Sequence, residues 1–377
     1  MLKNNEPIRV AQIIGKMSAG GVESVVFNYY KKIDKEKVQF DFYYDADSSV
    51  TPPKELIEMG ARFIKLPPYQ NLFHYISALR NELRNNKYII VHSHLNTLSI
   101  FPLFAAYMEK IPVRIAHNHS VPGGKEYKRN LLKYFLRMGA KIFPTDYFAC
   151  SEKAGKWMFG EKTYNSGKVV LIKNAIDYDV FSKNEFNRKK IREKLNLKNN
   201  TVIGHVGRIT SAKNHTFLLK IFTQYKKIDK SAKLLLVGDG ELRNQIEDEI
   251  LRLNLSDSCI LVGKQSDTSL YYSGMDIMVM PSIFEGLGLA AIEAQACQLP
   301  IVVSEAIPSE AVITNGVTSL SLKDSIASWV EAIQKSLKKN IAFIDEYDEY
   351  NIDNASEKLL DWYINRYNKE INEDLNE

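Results

Sequence analysis

Cysteine is nearly missing from this chain: its 377 residues contain three, Cys150, Cys259 and Cys297, far apart and without a C-x-x-C pair. That spacing offers no disulfide framework and no thiolate zinc site, so a reducing cytoplasm is the expected setting. Long apolar runs are missing too. The longest, residues 98–108, is too short to span a bilayer and contains Pro102. The opening residues, Met1 to Pro7, lack the apolar core of a secretory signal. The expectation is a soluble protein, attached at most to a membrane surface. Zinc-finger, RNP and basic-helix patterns are absent, which argues against a nucleic-acid partner. There is no Walker A loop and no G-x-G-x-x-G, so a nicotinamide-dependent oxidoreductase lacks its fingerprint.

What is present supports two ordinary domains, since the length suffices and 45% of the residues are hydrophobic. Net charge is +5 but unevenly spread: residues 1–174 carry +11 and the remainder −6. A basic first half suits an anionic partner, such as a phospholipid surface or a phosphate-bearing acceptor. Strand-like runs alternate with helical patterns throughout, which predicts parallel α/β architecture. A first series of strands is expected near residues 8–14, 40–44, 61–65, 89–92, 113–117 and 147–150. A second is expected to begin at 169–172 and continue at 201–206, 233–237, 259–262, 277–280 and 301–304. Two doubly wound sheets joined near residue 174 follow, with ligands expected outside the carboxyl ends of strands.

Four strand-end segments carry chemistry. The most informative runs from Pro281 to Glu293, where a strand leads through a glycine turn into a helix. Such a turn offers free N–H groups and a positive dipole end to an anion. Glu285 and Glu293 cannot hold that anion, but ionised carboxylates accept hydrogen bonds from sugar hydroxyls. Full helicity would set their backbones about 12 Å apart, which matches a ligand with hydroxyl groups on both sides of a phosphate. A bland reading is open: Glu285 could simply serve the helix terminus. A second segment, Gly204 to Asn214, ends a strand in Gly207-Arg208 with Lys213 five residues on. Arg and Lys together suit a diphosphate, or else are two solvated cations. The third places His117 and His119 at one strand end and His92 and His94 at the preceding one. No carboxylate stands at ligand spacing, so contact with a substrate hydroxyl is expected rather than a metal, with a structural role open. The fourth is Gly20-Gly21 after the first strand, a close-approach turn for phosphate or only a turn. Asp45-Ala46-Asp47 has the D-x-D form of a metal–diphosphate site but no supporting acid.

Taken together, these segments resemble the family 4 retaining glycosyltransferases. The likeness rests on the E-x7-E signature, Glu285 to Glu293, and on five further segments in the family's order. These are Gly20-Gly21-Val22-Glu23, His117, Asn174-Ala175-Ile176-Asp177, Val206-Gly207-Arg208 with Lys213, and Val237-Gly238-Asp239-Gly240. The resemblance implies the GT-B fold, with two Rossmann-like doubly wound parallel-sheet domains facing across a cleft. The expected division is 1–174 on the acceptor side, 175–350 for the nucleotide sugar, and a 351–377 helix returning towards the first domain. It implies transfer of a hexosyl or N-acetylhexosaminyl group from a nucleotide diphosphate sugar, with UDP expected as the nucleotide. The acceptor would be a saccharide or lipid-linked saccharide in cell-surface polysaccharide assembly. No cofactor and no metal are expected.

By the same resemblance, Arg208 and Lys213 would neutralise the donor diphosphate. Gly286, Leu287, Gly288 and Leu289 would present backbone N–H groups to it. Glu293 would accept from the ribose hydroxyls and Glu285 from the transferred sugar. Gly20 and Gly21 would approach the diphosphate, His117 the donor sugar and Gly263 the base, with Asn174 also in the substrate site. Ala175 stands where the family often has glycine, and Leu287 and Leu289 where it often has Phe and Pro, which bears on donor preference. Basic residues 129, 133, 137 and 141 share a helical face beside apolar neighbours, so residues 125–141 are a candidate contact with anionic membrane at the inner face. The competing readings are a nucleotide-sugar epimerase, or a non-catalytic protein that binds nucleotide sugars.

Overall fold

Residues 6–18, 21–121, 127–265, 267–344 and 349–374 are described by a computed structural model, the side chains of 127–129 and 374 excepted. The chain divides into two units, residues 1–176 with 349–377, and residues 177–348. In the first unit, strands β1 (Ile8–Gly15), β2 (Val38–Asp45), β3 (Arg62–Leu66), β4 (Ile90–Ser93), β5 (Val113–Asn118), β6 (Asp146–Ala149) and β7 (Val169–Leu171) form one sheet. Its order is β3-β2-β1-β4-β5-β6-β7, and every pair is parallel. β1 and β2 are buried on both faces apart from Arg9, as strands covered by helices on each side must be.

The second unit contains β8 (Val202–Val206), β9 (Lys233–Val237), β10 (Cys259–Leu261), β11 (Ile277–Met280), β12 (Ile301–Ser304) and β13 (Val317–Leu320). These pair in parallel in the order β10-β9-β8-β11-β12-β13. Each sheet therefore winds outward in both directions from its first strand. The reversal falls between β1 and β4 in one unit and between β8 and β11 in the other. Loops diverge at such a point and leave a crevice beyond the strand ends. The two-sheet α/β expectation holds.

The expected assignment of 169–172 to the second series is wrong. β7 pairs with β6, Tyr147 opposite Val169, and so closes the first sheet. An apolar run identifies a strand but not the sheet it joins. β13, a partly exposed strand, and the helices Ile100–Met108, Glu152–Phe159, Glu161–Asn165 and Glu185–Lys194 were not foreseen. The helix Tyr127–Arg137 ends before Lys141, so the expected basic face cannot continue to that residue. The long helix Ile352–Asp374 belongs to the first unit. There Trp362 meets the Phe148 ring at 4.7 Å, and Lys32 on the helix Gly21–Lys32 pairs with Asp353 at 3.2 Å.

Candidate functional site

In the second unit the crevice beyond β8 and β11 gathers most of the expected residues. Past β8, Gly207 has φ +157° and a Cβ there would lie 3.3 Å from Lys213 Cε, so the turn is fitted against the lysine stem. At the end of β9 a Cβ on Gly238 would stand 2.0 Å from the Gly207 carbonyl oxygen, which only glycine allows. Ile283 N–H donates to the Ala212 carbonyl at 2.7 Å and ties the loop after β11 to the loop after β8. That tie brings Lys213 to Glu285: Nζ lies 2.6 and 2.8 Å from the two carboxylate oxygens. Ser282 Oγ donates to Glu285 Oε1 at 2.7 Å, and Ser304 Oγ donates to the Ser282 carbonyl at 2.6 Å. Glu285 is buried, so it is held from two sides before any ligand arrives.

The helix Leu289–Ala296 begins directly after this carboxylate. Gly288, at φ +81° and ψ 51°, is its N-cap and offers no side chain to the first turn. The amides of Glu285, Gly286, Leu287 and Gly288 donate to no acceptor among the described residues. Free amides, a helix N-terminus and the adjacent Lys213 make an anion seat. Lys213 has three N–H donors, so pairing with Glu285 leaves it able to serve a phosphate. Arg208 is exposed and makes no hydrogen bond or ion pair among the described residues. Glu293, on the second turn of the helix, accepts from Tyr272 OH at 2.7 Å. Burial raises its carboxyl pKa, and the Tyr272 hydrogen bond lowers it in part. Gly263, at φ +70°, follows β10 and its carbonyl accepts from Gly238 N–H at 2.9 Å.

In the first unit the four clustered histidines are all buried. Residues two apart on a strand share a face, which stacks His92 on His94 at 4.2 Å and His117 on His119 at 3.9 Å. Burial, then neighbouring imidazoles, holds the pKa values of His92, His94 and His117 well below the usual histidine range. Burial likewise takes His119 down to about 4. The rings are therefore neutral near pH 7. His92, His94 and His117 bring ring nitrogens within 4.8 Å of one another, a spacing a metal ion could use. Five of those six nitrogens already have hydrogen-bond partners. His117 Nε2 is the exception and has no partner at hydrogen-bond distance.

Of the other expected residues, Asn174 Oδ1 lies 3.1 Å from His119 Nδ1. Gly21 opens a helix whose Glu23 carboxylate accepts from Ser18 N–H at 2.6 Å, and a Cβ at Gly21 would meet nothing within 4 Å. Gly20 and Lys125 lie outside the described residues. Asp47 pairs with Lys16 at 2.6 Å, while burial and then the Asp47 charge push Asp45 up to about 6, so the D-x-D does not present two free carboxylates. Sequence reasoning missed Ser282, Tyr272, Gln12 and Tyr363, which hold the expected side chains. Gln12 carried a signal, a lone amide in the apolar run of β1.

The helix Tyr127–Arg137 reverses the usual pattern of a surface helix. Leu131, Leu132 and Phe135, with Met138 just past the last turn, are 55–80% exposed. Arg137 instead turns back over the Trp157 ring at 5.6 Å. Among the described residues, no helix is long and apolar enough to cross a membrane.

Comparison with known proteins agrees with the geometry. The model of glycosyl transferases group 1 matches residues 187–358, and that of Glycosyltransferase Family 4 matches residues 19–180. EpsF of Bacillus subtilis is 32% identical over 340 residues, 88% of each chain. The Escherichia coli UDP-Gal:alpha-D-GlcNAc-diphosphoundecaprenol alpha-1,3-galactosyltransferase is 24% identical over 97% of this chain and 98% of its own. Among solved structures, Anabaena HepE in complex with UDP-glucose superposes with a TM-score of 0.69 at 17% identity, covering 98% of this chain and 99% of that one.

Proposed function

The chain belongs to the family 4 glycosyltransferases, and we propose that it transfers a sugar from a UDP-sugar, with retention at the anomeric carbon, to a saccharide or lipid-linked saccharide of a cell-surface polysaccharide. The observation that carries this reading is the Lys213–Glu285 pair beside the unengaged amides of Glu285 to Gly288. Phosphate takes the amides and the remaining Lys213 donors, with exposed Arg208 free to close on it. Glu285 orients hydroxyls of the transferred sugar, and Glu293 those of the ribose. Gly263 borders the base; from the first unit, His117 is assigned to the donor sugar, with Asn174 and Gly21 as further substrate-binding residues. HepE has been solved with UDP-glucose, and the name of the Escherichia coli relative specifies UDP-Gal and a diphosphoundecaprenol-linked acceptor. Both support a UDP donor; the acceptor reading leans on the second. A hexosyl or N-acetylhexosaminyl group fits either precedent.

The reaction needs no metal or cofactor in this reading. The acceptor hydroxyl attacks the anomeric carbon on the face the diphosphate leaves. The carbon–oxygen bond to the diphosphate breaks, and a departing diphosphate oxygen takes the acceptor's proton. Lys213, Arg208 and the helix N-terminus stabilise the charge that develops on that group, an effect worth about 10²–10³ in rate per preorganised donor. The exposed apolar residues of the helix Tyr127–Arg137, in a basic half of the chain, serve attachment to the anionic cytoplasmic face of the membrane. Thermal stabilisation across a set of nucleotide sugars, followed by nucleotide release with the best of them, tests the donor. Anomeric proton couplings in the product test retention. Arg208→Ala should lower turnover about 100-fold or more, and wild-type turnover in that variant would refute the charge-stabilising role.

A further inference from the structure

The buried polar groups of the first unit form one continuous series. Asn174 Oδ1 meets His119 Nδ1 at 3.1 Å, His119 Nε2 meets His94 Nδ1 at 2.9 Å, and His94 Nε2 meets Gln12 Oε1 at 2.7 Å. Gln12 Nε2 then meets Tyr363 Oη at 3.0 Å, Tyr363 Oη meets His92 Nδ1 at 2.6 Å, and His92 Nε2 meets His117 Nδ1 at 3.1 Å. Each link needs one proton. A neutral imidazole bonded through both nitrogens must donate through one and accept through the other. Gln12 and Tyr363 each pass the direction on in the same way. The series therefore has only two consistent settings, and one group's orientation decides all the others.

The two amides of the series, as placed, point to opposite settings: Gln12 Nε2 meets Tyr363, while Asn174 Oδ1 meets His119. Gln12, buried in the middle of the series with both amide atoms partnered, is taken to fix the setting, and Asn174 at its end follows. With Gln12 Nε2 donating to Tyr363, the phenol proton goes to His92 Nδ1, His92 donates from Nε2 to His117 Nδ1, and the His117 proton is left on Nε2. On the other arm, His94 donates from Nε2 to Gln12 and His119 from Nε2 to His94. His119 Nδ1 must then accept, so Asn174 presents its NH2 to that ring, and oxygen and nitrogen of that amide are exchanged.

We propose that Tyr363, on the tail helix, is a positioning residue that acts through His92 to keep the His117 proton on Nε2, making His117 a hydrogen-bond donor to an oxygen of the donor sugar. The inference rests on the proposed contact of His117 with that sugar. It reaches further, because a residue about 250 positions away sets which kind of partner His117 can serve.

The test is nitrogen-15 NMR of histidine-labelled protein, which reads the tautomer of each ring. In the wild type all four rings should carry the proton on Nε2. Tyr363→Phe removes the phenol proton, so His92 and His117 should divide between tautomers while His94 and His119 keep theirs. Gln12→Glu at mildly alkaline pH offers a group that only accepts. It should reverse His92 and His117 to Nδ1–H and leave His94 and His119 unchanged. Turnover should fall severalfold in the first variant and about 100-fold in the second, as when a preorganised donor is lost, with UDP affinity changed less than about twofold in both. A wild-type His117 proton on Nδ1, or an imidazolium among the four, overturns the proposal. So does a His117 tautomer indifferent to both variants, or a switched tautomer with unchanged kcat. A wild type that shows the tautomer pattern but turns over no nucleotide sugar would instead fail the transferase reading.

Discussion

Lys213→Met separates what the Lys213–Glu285 pair does for stability from what it does for turnover. Methionine keeps the apolar stem that packs by Gly207 and deletes the ammonium. The side chains are 19% and 6% exposed, so the deletion strands a carboxylate that is largely out of water. Removing one member of a buried pair costs about 3–5 kcal/mol. Partial exposure of the lysine and the surviving Ser282 hydrogen bond reduce that to roughly 2–3 kcal/mol. For a unit of this size, residues 177–348, each kcal/mol moves Tm by about 2–4 °C. Ligand-free protein should therefore melt roughly 4–12 °C lower. Lys213→Met with Glu285→Gln leaves no stranded charge and should regain most of the loss, since neighbouring sites do not add. Turnover should stay down about 10²–10³ in single and double variants alike. Melting curves and nucleotide release on the three variants decide it. A double variant no more stable than the worse single one refutes the buried-pair argument, and wild-type turnover in Lys213→Met refutes the diphosphate role.

Glu293→Gln tests the other glutamate through pH. Its folded pKa is raised, so the native state holds that proton more tightly than the unfolded chain. The stability this gives is present below the ordinary carboxyl range and is lost as pH rises through the folded pKa. The variant should match the wild type in acid and melt higher towards neutral pH, while binding UDP more weakly; a Tm difference that does not change with pH would contradict this. Leu131→Ser with Phe135→Ser removes exposed apolar surface, so melting should change by less than about 0.5 kcal/mol. Flotation with anionic vesicles should fall several-fold; unchanged flotation would remove this helix from membrane attachment.

Fold and site were legible to different depths. Strands such as Ile277–Met280 announce themselves because a buried parallel strand must be apolar on both faces. Val169–Leu171 shows the limit, since the same apolar signal does not say which sheet a strand joins. The helix Ile100–Met108 was hidden because nearly uniform apolarity has no period to read. Lys213 and Glu285 were each visible as types suited to a nucleotide sugar. Their 2.6 Å contact was not, because it depends on a loop tie, Ala212 to Ile283, between segments 71 residues apart. Tyr363 was invisible as a site residue for the same reason: only the return of the tail helix to the first unit places it beside His92.

The environments of the two glutamates bear on where a proton could go. In glycoside hydrolases the two carboxyl groups face one bond, and one of them takes or gives the proton. Here both oxygens of Glu285 are engaged by Lys213, and one accepts from Ser282 as well. A carboxylate so occupied is poorly placed to attack carbon or to strip a hydroxyl. Glu293 is turned to Tyr272, whose hydroxyl takes up Oε2. His117 cannot serve as a base if its unpartnered nitrogen, Nε2, already carries the proton, as the proposed setting of the series through Tyr363 requires. With those three groups committed, the basic atom left to the proposed reaction is the departing diphosphate oxygen. Lys213 and Arg208 must then be near enough to stabilise the leaving group without taking over its remaining lone pairs. A slow donor with a more acidic leaving group should therefore gain less from the lysine. The rate ratio of wild type to Lys213→Met, measured over glycosyl diphosphate donors and analogues of falling leaving-group pKa, should shrink as the pKa falls. A constant ratio would mean that Lys213 acts on binding alone.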